Sequence, residues 1–145
     1  MNYAPLIELS GPRRPRLRGA QRIGLGFVFL WFLIGGIAHF AATGFEMRMV
    51  PPYIPAHRAM VWFSGVCELL GAAGLLWPAT RRTAGWGLFA LTIAVTPANL
   101  YMLQHRELFA LPYSVLVLRL PLQIALLALI LWSTAPPRRA RRRLA

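Results

Sequence analysis

Four long apolar runs, separated by short polar connections, dominate the chain. They extend over residues 23–45, 59–80, 83–105 and 108–137, and the charged side chains inside them are Glu68 in the second run and Arg119 in the fourth. Each run supplies about 20 residues, enough for an α-helix to cross a hydrocarbon core of about 30 Å. We therefore predict an all-α, polytopic membrane protein, a four-helix bundle with spans at about 23–43, 59–78, 83–104 and 113–133.

The composition agrees with a membrane bundle, because 57% of the 145 residues are hydrophobic and only 14% are charged. The four predicted spans form one membrane domain over residues 23–134. Outside it lie a basic arm (1–22) and a basic tail (135–145). These short segments leave no room for a soluble catalytic domain.

The net charge of +12 comes from 16 basic and 4 acidic residues. In a soluble protein it would favour nucleic-acid binding, but here the arginines flank the predicted spans, so we expect no nucleic-acid partner. The positive-inside rule places the more basic side, with both termini, in the cytoplasm. The arms are interpreted as topology signals, with anionic lipid binding as the alternative. The arginines of this side are Arg13, Arg14, Arg16, Arg18, Arg22, Arg81, Arg82, Arg138, Arg139, Arg141, Arg142 and Arg143.

Three further features narrow the class. All basic residues are arginine, which is typical of a GC-rich bacterial genome, so we expect the bacterial cytoplasmic (inner) membrane. The first apolar run also resembles a signal peptide, but it is longer than the roughly 7–15 residues of a signal h-region. Cys67 is the only cysteine, which excludes an intramolecular disulfide and a Cys-x-x-Cys redox pair.

Every predicted span carries at least one polar side chain at a similar depth. His39 and Asn99 lie about 24 Å from the cytoplasmic ends of their helices, whereas Glu68 and Arg119 lie about 13 and 10 Å from the outer ends. Gln123 follows Arg119 by one turn and shares its face. The sequence therefore predicts a polar layer in the outer half of the bundle.

Charged groups in hydrocarbon cost about 2.5–3.5 kcal/mol each, so we expect Glu68 and Arg119 to pair. The pair is interpreted either as part of a ligand site or as a structural clasp between helices. Arg119 has the further alternative of extending its side chain to the outer interface. Asn99 and Gln123 are either interhelical hydrogen-bonding residues or ligand contacts.

Proline and histidine residues near this layer leave further alternatives. Pro97 and Pro121 each remove a backbone donor and predict kinks. The proline-rich loop 44–58 is hostile to helix and either caps the polar layer or is a simple surface loop. His39 is a proton relay or a structural histidine, because the spacing of the histidines does not favour a metal site.

Five short motifs together carry a family resemblance. In this order and spacing, the chain resembles the DoxX-like family of small four-helix membrane proteins over residues 23–134. The motifs are Gly36-Ile37-Ala38-His39-Phe40, Pro51-Pro52-Tyr53-Ile54-Pro55, Ser64-Gly65-Val66-Cys67-Glu68-Leu69, Thr96-Pro97-Ala98-Asn99-Leu100-Tyr101-Met102 and Arg119-Leu120-Pro121-Leu122-Gln123. The resemblance implies a link to sulfur and thiol redox metabolism in bacteria, while wider relatives include membrane-protein assembly factors.

These observations lead to a first functional hypothesis, a redox-linked accessory protein whose polar pocket binds a quinone or another small amphipathic ligand. Glu68 and Arg119 would form its charged pair, Asn99 and Gln123 would orient a ligand carbonyl or hydroxyl, and His39 would relay protons. The chain would not be an enzyme on its own but part of an oxidoreductase complex, with membrane lipids, a redox protein or a second copy as partners.

The alternative is a non-enzymatic membrane chaperone or assembly factor, in which the polar layer fixes helix packing or recognises a partner's helix. Transport is disfavoured, because the cytoplasmic half of the predicted bundle shows no charged path.

Overall fold

The computed structural model describes residues 17–136, which are helical apart from short connections. The predicted all-α class is confirmed over these residues, and four segments are long and apolar enough to span a membrane, as predicted. The basic arm up to residue 16 and the tail from residue 137 lie outside the described residues. In chain order the elements are α1 (Gly19–Ala41), α2 (Thr43–Met49), α3 (His57–Leu76), α4 (Arg81–Ala94), α5 (Thr96–Gln104), a 3₁₀ turn (Arg106–Leu108) and α6 (Tyr113–Thr134).

The long helices form a ring in which α1 and α4 each pack between α3 and α6. The amide of Gln21, near the start of α1, donates hydrogen bonds to the carbonyls of Trp132 (3.2 Å) and Ala135 (3.4 Å) at the end of α6. Both ends of the described chain therefore lie at the same end of the bundle, here called the terminal end. The opposite end, where α2 lies, is called the capped end.

Small residues bring α1 and α3 into close contact. A Cβ atom at Gly65 would lie 2.7 Å from the Cβ of His39 and 3.2 Å from the carbonyl oxygen of Gly36. The first of these distances is shorter than real Cβ contacts allow, so only glycine fits at position 65. Since lipid provides no hydrophobic drive between helices, this close backbone approach contributes van der Waals contact instead.

Two apolar clusters fill the bundle and lie on either side of the polar positions. The cluster at the terminal end contains Val28, Phe32, Ala72, Leu75, Leu88, Leu126 and Ile130. The cluster at the capped end contains Met49, Met102, Phe109 and Leu116. In every span, the polar side chain predicted from the sequence lies between these two clusters along the chain.

The third predicted span is divided into two helices at Val95, which follows the last residue of α4. Pro97 lies in the first turn of α5 and has no N–H to donate to the preceding turn, so the predicted kink at Pro97 is confirmed. The helix α4 packs against α3 and α6, whereas α5 packs against α6 and α2. Beyond the break, α5 thus contacts α2 where α4 contacts α3. Pro121, in contrast, lies inside a continuous α6.

The loop 44–58 differs from its prediction, because its first part is the helix α2. The helix ends at Met49, before the first of the three prolines, so those prolines do not disturb it. Pro51 is fully buried, and Ala56 adopts the left-handed conformation (φ 55°) immediately before α3. The segment thus packs onto the capped end of the bundle.

Candidate functional site

A cavity of about 700 Å³ lies between the helices towards the capped end. Its volume falls within the range of about 300–1,000 Å³ that is usual for small-molecule sites. All five polar residues singled out in the sequence line it: His39, Glu68, Asn99, Arg119 and Gln123. The structure therefore brings them together, with contributions from α1, α3, α5 and α6.

The helix α2 and the turn that follows it close this cavity at the capped end. Five residues of these two elements line the cavity, namely Glu46, Met49, Val50, Pro51 and Ile54. Of the two interpretations of the loop, the geometry agrees with a cap over the polar layer.

One wall of the cavity is a chain of hydrogen bonds across α6, α5 and α4. Arg119 Nε donates to Asn99 Oδ1 (3.0 Å), and Asn99 Nδ2 donates to Gln123 Oε1 (2.7 Å). Gln123 Nε2 then donates to the carbonyl of Thr92 (2.7 Å) and to the hydroxyl of Thr96 (2.6 Å). The chain ends at the break between α4 and α5, and it ties both halves of the third span to α6.

This network assigns Asn99 and Gln123 to interhelical hydrogen bonding, the first of the two alternatives. Both N–H groups of Gln123 and the carbonyl oxygens of both amides are bonded within the protein. An amide has two N–H groups and one carbonyl, so within residues 17–136 Asn99 keeps a single free N–H. The two amides thus hold Arg119 in place, and the expectation that they also orient a ligand stays a prediction.

The opposite wall places one histidine between two carboxylates. Nε2 of His39 lies 3.5 Å from Glu68 Oε1, and Nδ1 of His39 lies 3.9 Å from Glu46 Oε2. The side chains of His39 and Glu68 are 15% and 13% exposed. Among residues 17–136, Nδ1 of His39 is buried without a hydrogen-bond partner. Three groups able to hold a proton thus connect the cavity with its cap.

The predicted ion pair between Glu68 and Arg119 is wrong. Within the described part of the chain, no Arg119 nitrogen lies within 4.0 Å of a Glu68 oxygen, and the ion-pair contacts of Glu68 are with His39. Arg119 donates from Nε to Asn99 instead, so its Nε is directed towards α5. The side chain of Arg119 is half-buried at the cavity. The cavity therefore has an acidic wall on α1, α2 and α3 and a basic wall on α6.

The sequence reasoning missed four residues of this site. Glu46 stands in a segment interpreted as a loop. The only feature of the sequence that could have singled it out is that it is an acidic residue among apolar ones. Gly35 makes room for Glu68, because a Cβ there would lie 2.6 Å from Glu68 Oε2. Thr92 and Thr96 anchor Gln123, and their signal was two threonines in an apolar helix on either side of the kink.

Other candidate groups lie apart from this chemistry. Cys67 is half-buried and does not line the cavity. Over residues 17–136, no three histidine, cysteine or acidic side chains are grouped closely enough to hold a metal ion.

Comparisons with known proteins give one match. No curated protein and no solved structure matches the chain. The model of a family described as a domain of unknown function, DUF8561, matches residues 28–135, a range that includes every residue lining the cavity. Because that range covers most of its length, the chain belongs to the DUF8561 family.

Proposed function

We propose that this protein is a DoxX-like integral membrane protein whose cavity binds a small amphipathic molecule, with a quinone as one candidate. The observation that carries the proposal is the cavity of about 700 Å³, in which apolar side chains surround His39, Glu68 and Arg119. Ionisable residues inside a membrane bundle are expensive and generally line a pathway or a binding site. A mostly apolar cavity with a few convergent polar groups is the usual form of such a site.

The proposal places the protein in the bacterial cytoplasmic membrane with both termini in the cytoplasm. Support comes from the shared position of the first and last turns of the bundle, where Arg18, Arg22, Arg81 and Arg82 also lie. These residues make the terminal end basic, and the sequence adds further arginines before and after the described chain, so the positive-inside rule favours the cytoplasm for this end. The capped end and its cavity would then belong to the outer half of the membrane.

As an accessory protein, the chain would present its bound molecule to a redox partner. Quinone reduction and oxidation exchange protons as well as electrons, so a quinone site needs groups that can accept and donate protons. His39, Glu68 and Glu46 are such groups, and His39 lies within 4 Å of both carboxylates. This arrangement keeps a quinone among the candidates for the bound molecule.

Mass spectrometry of small molecules extracted from the purified protein tests the proposal. Wild type is compared with Glu68→Gln and Arg119→Ala, which change opposite walls of the cavity, and with Gln104→Leu as a matched control. Gln104 is exposed at the end of α5 and does not line the cavity. We expect one amphiphile to be enriched over the membrane background in wild type and Gln104→Leu, and depleted in both cavity variants.

Two results would count against the proposal. One is the absence of any enriched molecule, and the other is equal enrichment in all four proteins, which would place the molecule on the outer surface of the helices. If a membrane protein copurifies and no small molecule is enriched, the result would support the assembly-factor alternative.

A further inference from the structure

Arg119 is held in position by its own protein from one side only. Its Nε donates to Asn99, which is fixed by Gln123, which in turn is anchored on Thr92 and Thr96. The support passes through three helices and ends on the backbone of α4. Such a chain fixes the place of the guanidinium while it uses only one of its five N–H groups.

The remaining N–H groups of Arg119 have no acceptor in the protein over residues 17–136. No hydrogen bond joins the terminal nitrogens to a protein oxygen there, and no carboxylate oxygen lies within 4.0 Å of any Arg119 nitrogen. The planar guanidinium binds carboxylate and phosphate groups through two parallel hydrogen bonds. Arg119 lines the cavity, so an oxyanion placed there would accept two hydrogen bonds from the free N–H groups of its guanidinium.

The acidic wall does not neutralise Arg119, because both of its carboxylates are directed at His39. An anion in the cavity would be repelled by that wall and attracted to α6. The distribution of charge thus fixes one orientation, with the negative group of the ligand at Arg119.

The rest of the cavity suits a hydrocarbon chain. Several apolar lining residues are also exposed on the surface of the bundle, among them Ile34 (66%) on α1 and Phe63 (62%) on α3. The cavity therefore reaches the surface that faces the lipid. An aliphatic tail suits this place, because it has no polar group that would need a hydrogen-bond partner.

From this polarity we infer that the cavity binds an amphiphile with an oxyanion head group, a carboxylate or a phosphate monoester, which Arg119 recognises. The inference rests on the proposed function, because it concerns the same cavity, and it assigns the chemistry of the head group. Asn99 and Gln123 act as positioning residues for Arg119.

Quenching of tryptophan fluorescence by brominated tails tests this inference. The probes are dibromostearic acid, dibromostearyl phosphate and dibromostearyl alcohol, which share one tail and differ in the head group. Trp31 lines the cavity and is 40% exposed at the surface of α1, so the quenching that is lost in Trp31→Phe reports a tail in the cavity or beside it, and only a tail in the cavity should depend on the head group. We expect the acid or the phosphate to bind wild type at least about tenfold more tightly than the alcohol, and the stronger of the two identifies the oxyanion.

Variants of arginine then assign the preference to a residue. Arg119→Gln should reduce the ratio of anion to alcohol affinity to about one, and Arg119→Lys should give an intermediate ratio. Arg106→Gln is the matched control, because Arg106 lies outside the cavity over the ring of Tyr113. It should leave the ratio unchanged.

The outcomes separate the two proposals. If the alcohol quenches Trp31 as strongly as the acid and the phosphate in wild type, the oxyanion inference is overturned, and the mass-spectrometry comparison of the cavity variants decides separately whether ligand binding stands. The comparison of the three probes in wild type does not depend on whether Arg119→Gln folds. If no probe and no quinone changes the fluorescence of Trp31, the binding function itself fails.

Discussion

The imidazole of His39 lies 3.5 Å from the carboxylate of Glu68, at the place where Gly36 and Gly65 bring α1 and α3 into close contact. Packing and chemistry are therefore coupled at one position. A glycine at 65 allows the backbone of α3 to approach His39, and this approach brings the Glu68 carboxylate of the next turn within reach of the ring. Helix packing in this protein thus sets the geometry of the acidic wall.

The contact between His39 and Glu68 should appear as an energetic coupling. In a double-mutant cycle of His39→Gln and Glu68→Gln, we expect an interaction free energy on the order of 0.5–2 kcal/mol, since polar contacts in membrane bundles are modest. The measurement is the free energy of unfolding in lipid bicelles. The control cycle uses His57→Gln, because His57 lies three turns away from Glu68 on the same helix. Additive effects in the first cycle would contradict the contact.

Gly65→Ala should destabilise the bundle, since its Cβ would meet His39 Cβ at 2.7 Å and Phe40 at 3.0 Å. Overpacking of this kind costs about 1–3 kcal/mol. Gly26→Ala is the matched control on α1, because nothing lies within 4 Å of its added Cβ. That change should be neutral or stabilise by up to about 1 kcal/mol through helix propensity. Thermal unfolding of both variants in the same lipid provides the measurement, and equal melting temperatures would refute the close approach of α1 and α3.

The spans and the polar layer could be predicted from the sequence because each depends on position along a helix. Hydropathy over about 20 residues locates a span, and 1.5 Å per residue converts position into depth. Five polar residues at similar depth on four spans were therefore expected to line one site. They do so in the cavity.

The partners within that layer could not be predicted in the same way, because they depend on how each helix is rotated. Close packing at Gly36 and Gly65 turns Glu68 towards His39, and the break before Pro97 brings Asn99 to Arg119. Neither rotation is visible in a hydropathy pattern. The role of Glu46 depends on α2. The prolines in loop 44–58 led to the prediction that the whole loop is non-helical, but they begin only after the last residue of α2.

Gln123→Leu should weaken the attachment of the third span to α6. The change leaves the Thr92 carbonyl and the Asn99 amide without the partners that Gln123 supplies. We expect a loss of about 1–2 kcal/mol in the free energy of unfolding, since an abandoned buried polar group costs about 1–3 kcal/mol. Gln104→Leu, the same chemical change at an exposed position, should lie within about 0.5 kcal/mol of wild type. If both leucine variants behave alike, the hydrogen bonds of Gln123 do not contribute to stability.

Labelling of single cysteines should give the orientation in the membrane, which the positive-inside rule predicts. In a Cys67→Ser background, Tyr53→Cys reports the capped end, where Tyr53 is 75% exposed, and Ala79→Cys reports the exposed turn between α3 and α4 at the terminal end. With a membrane-impermeant maleimide, Tyr53→Cys should react in intact bacterial cells and Ala79→Cys only after permeabilisation. The opposite pattern would place the cavity in the cytoplasmic half, and a proton or ligand would then reach Glu46 from the cytoplasm.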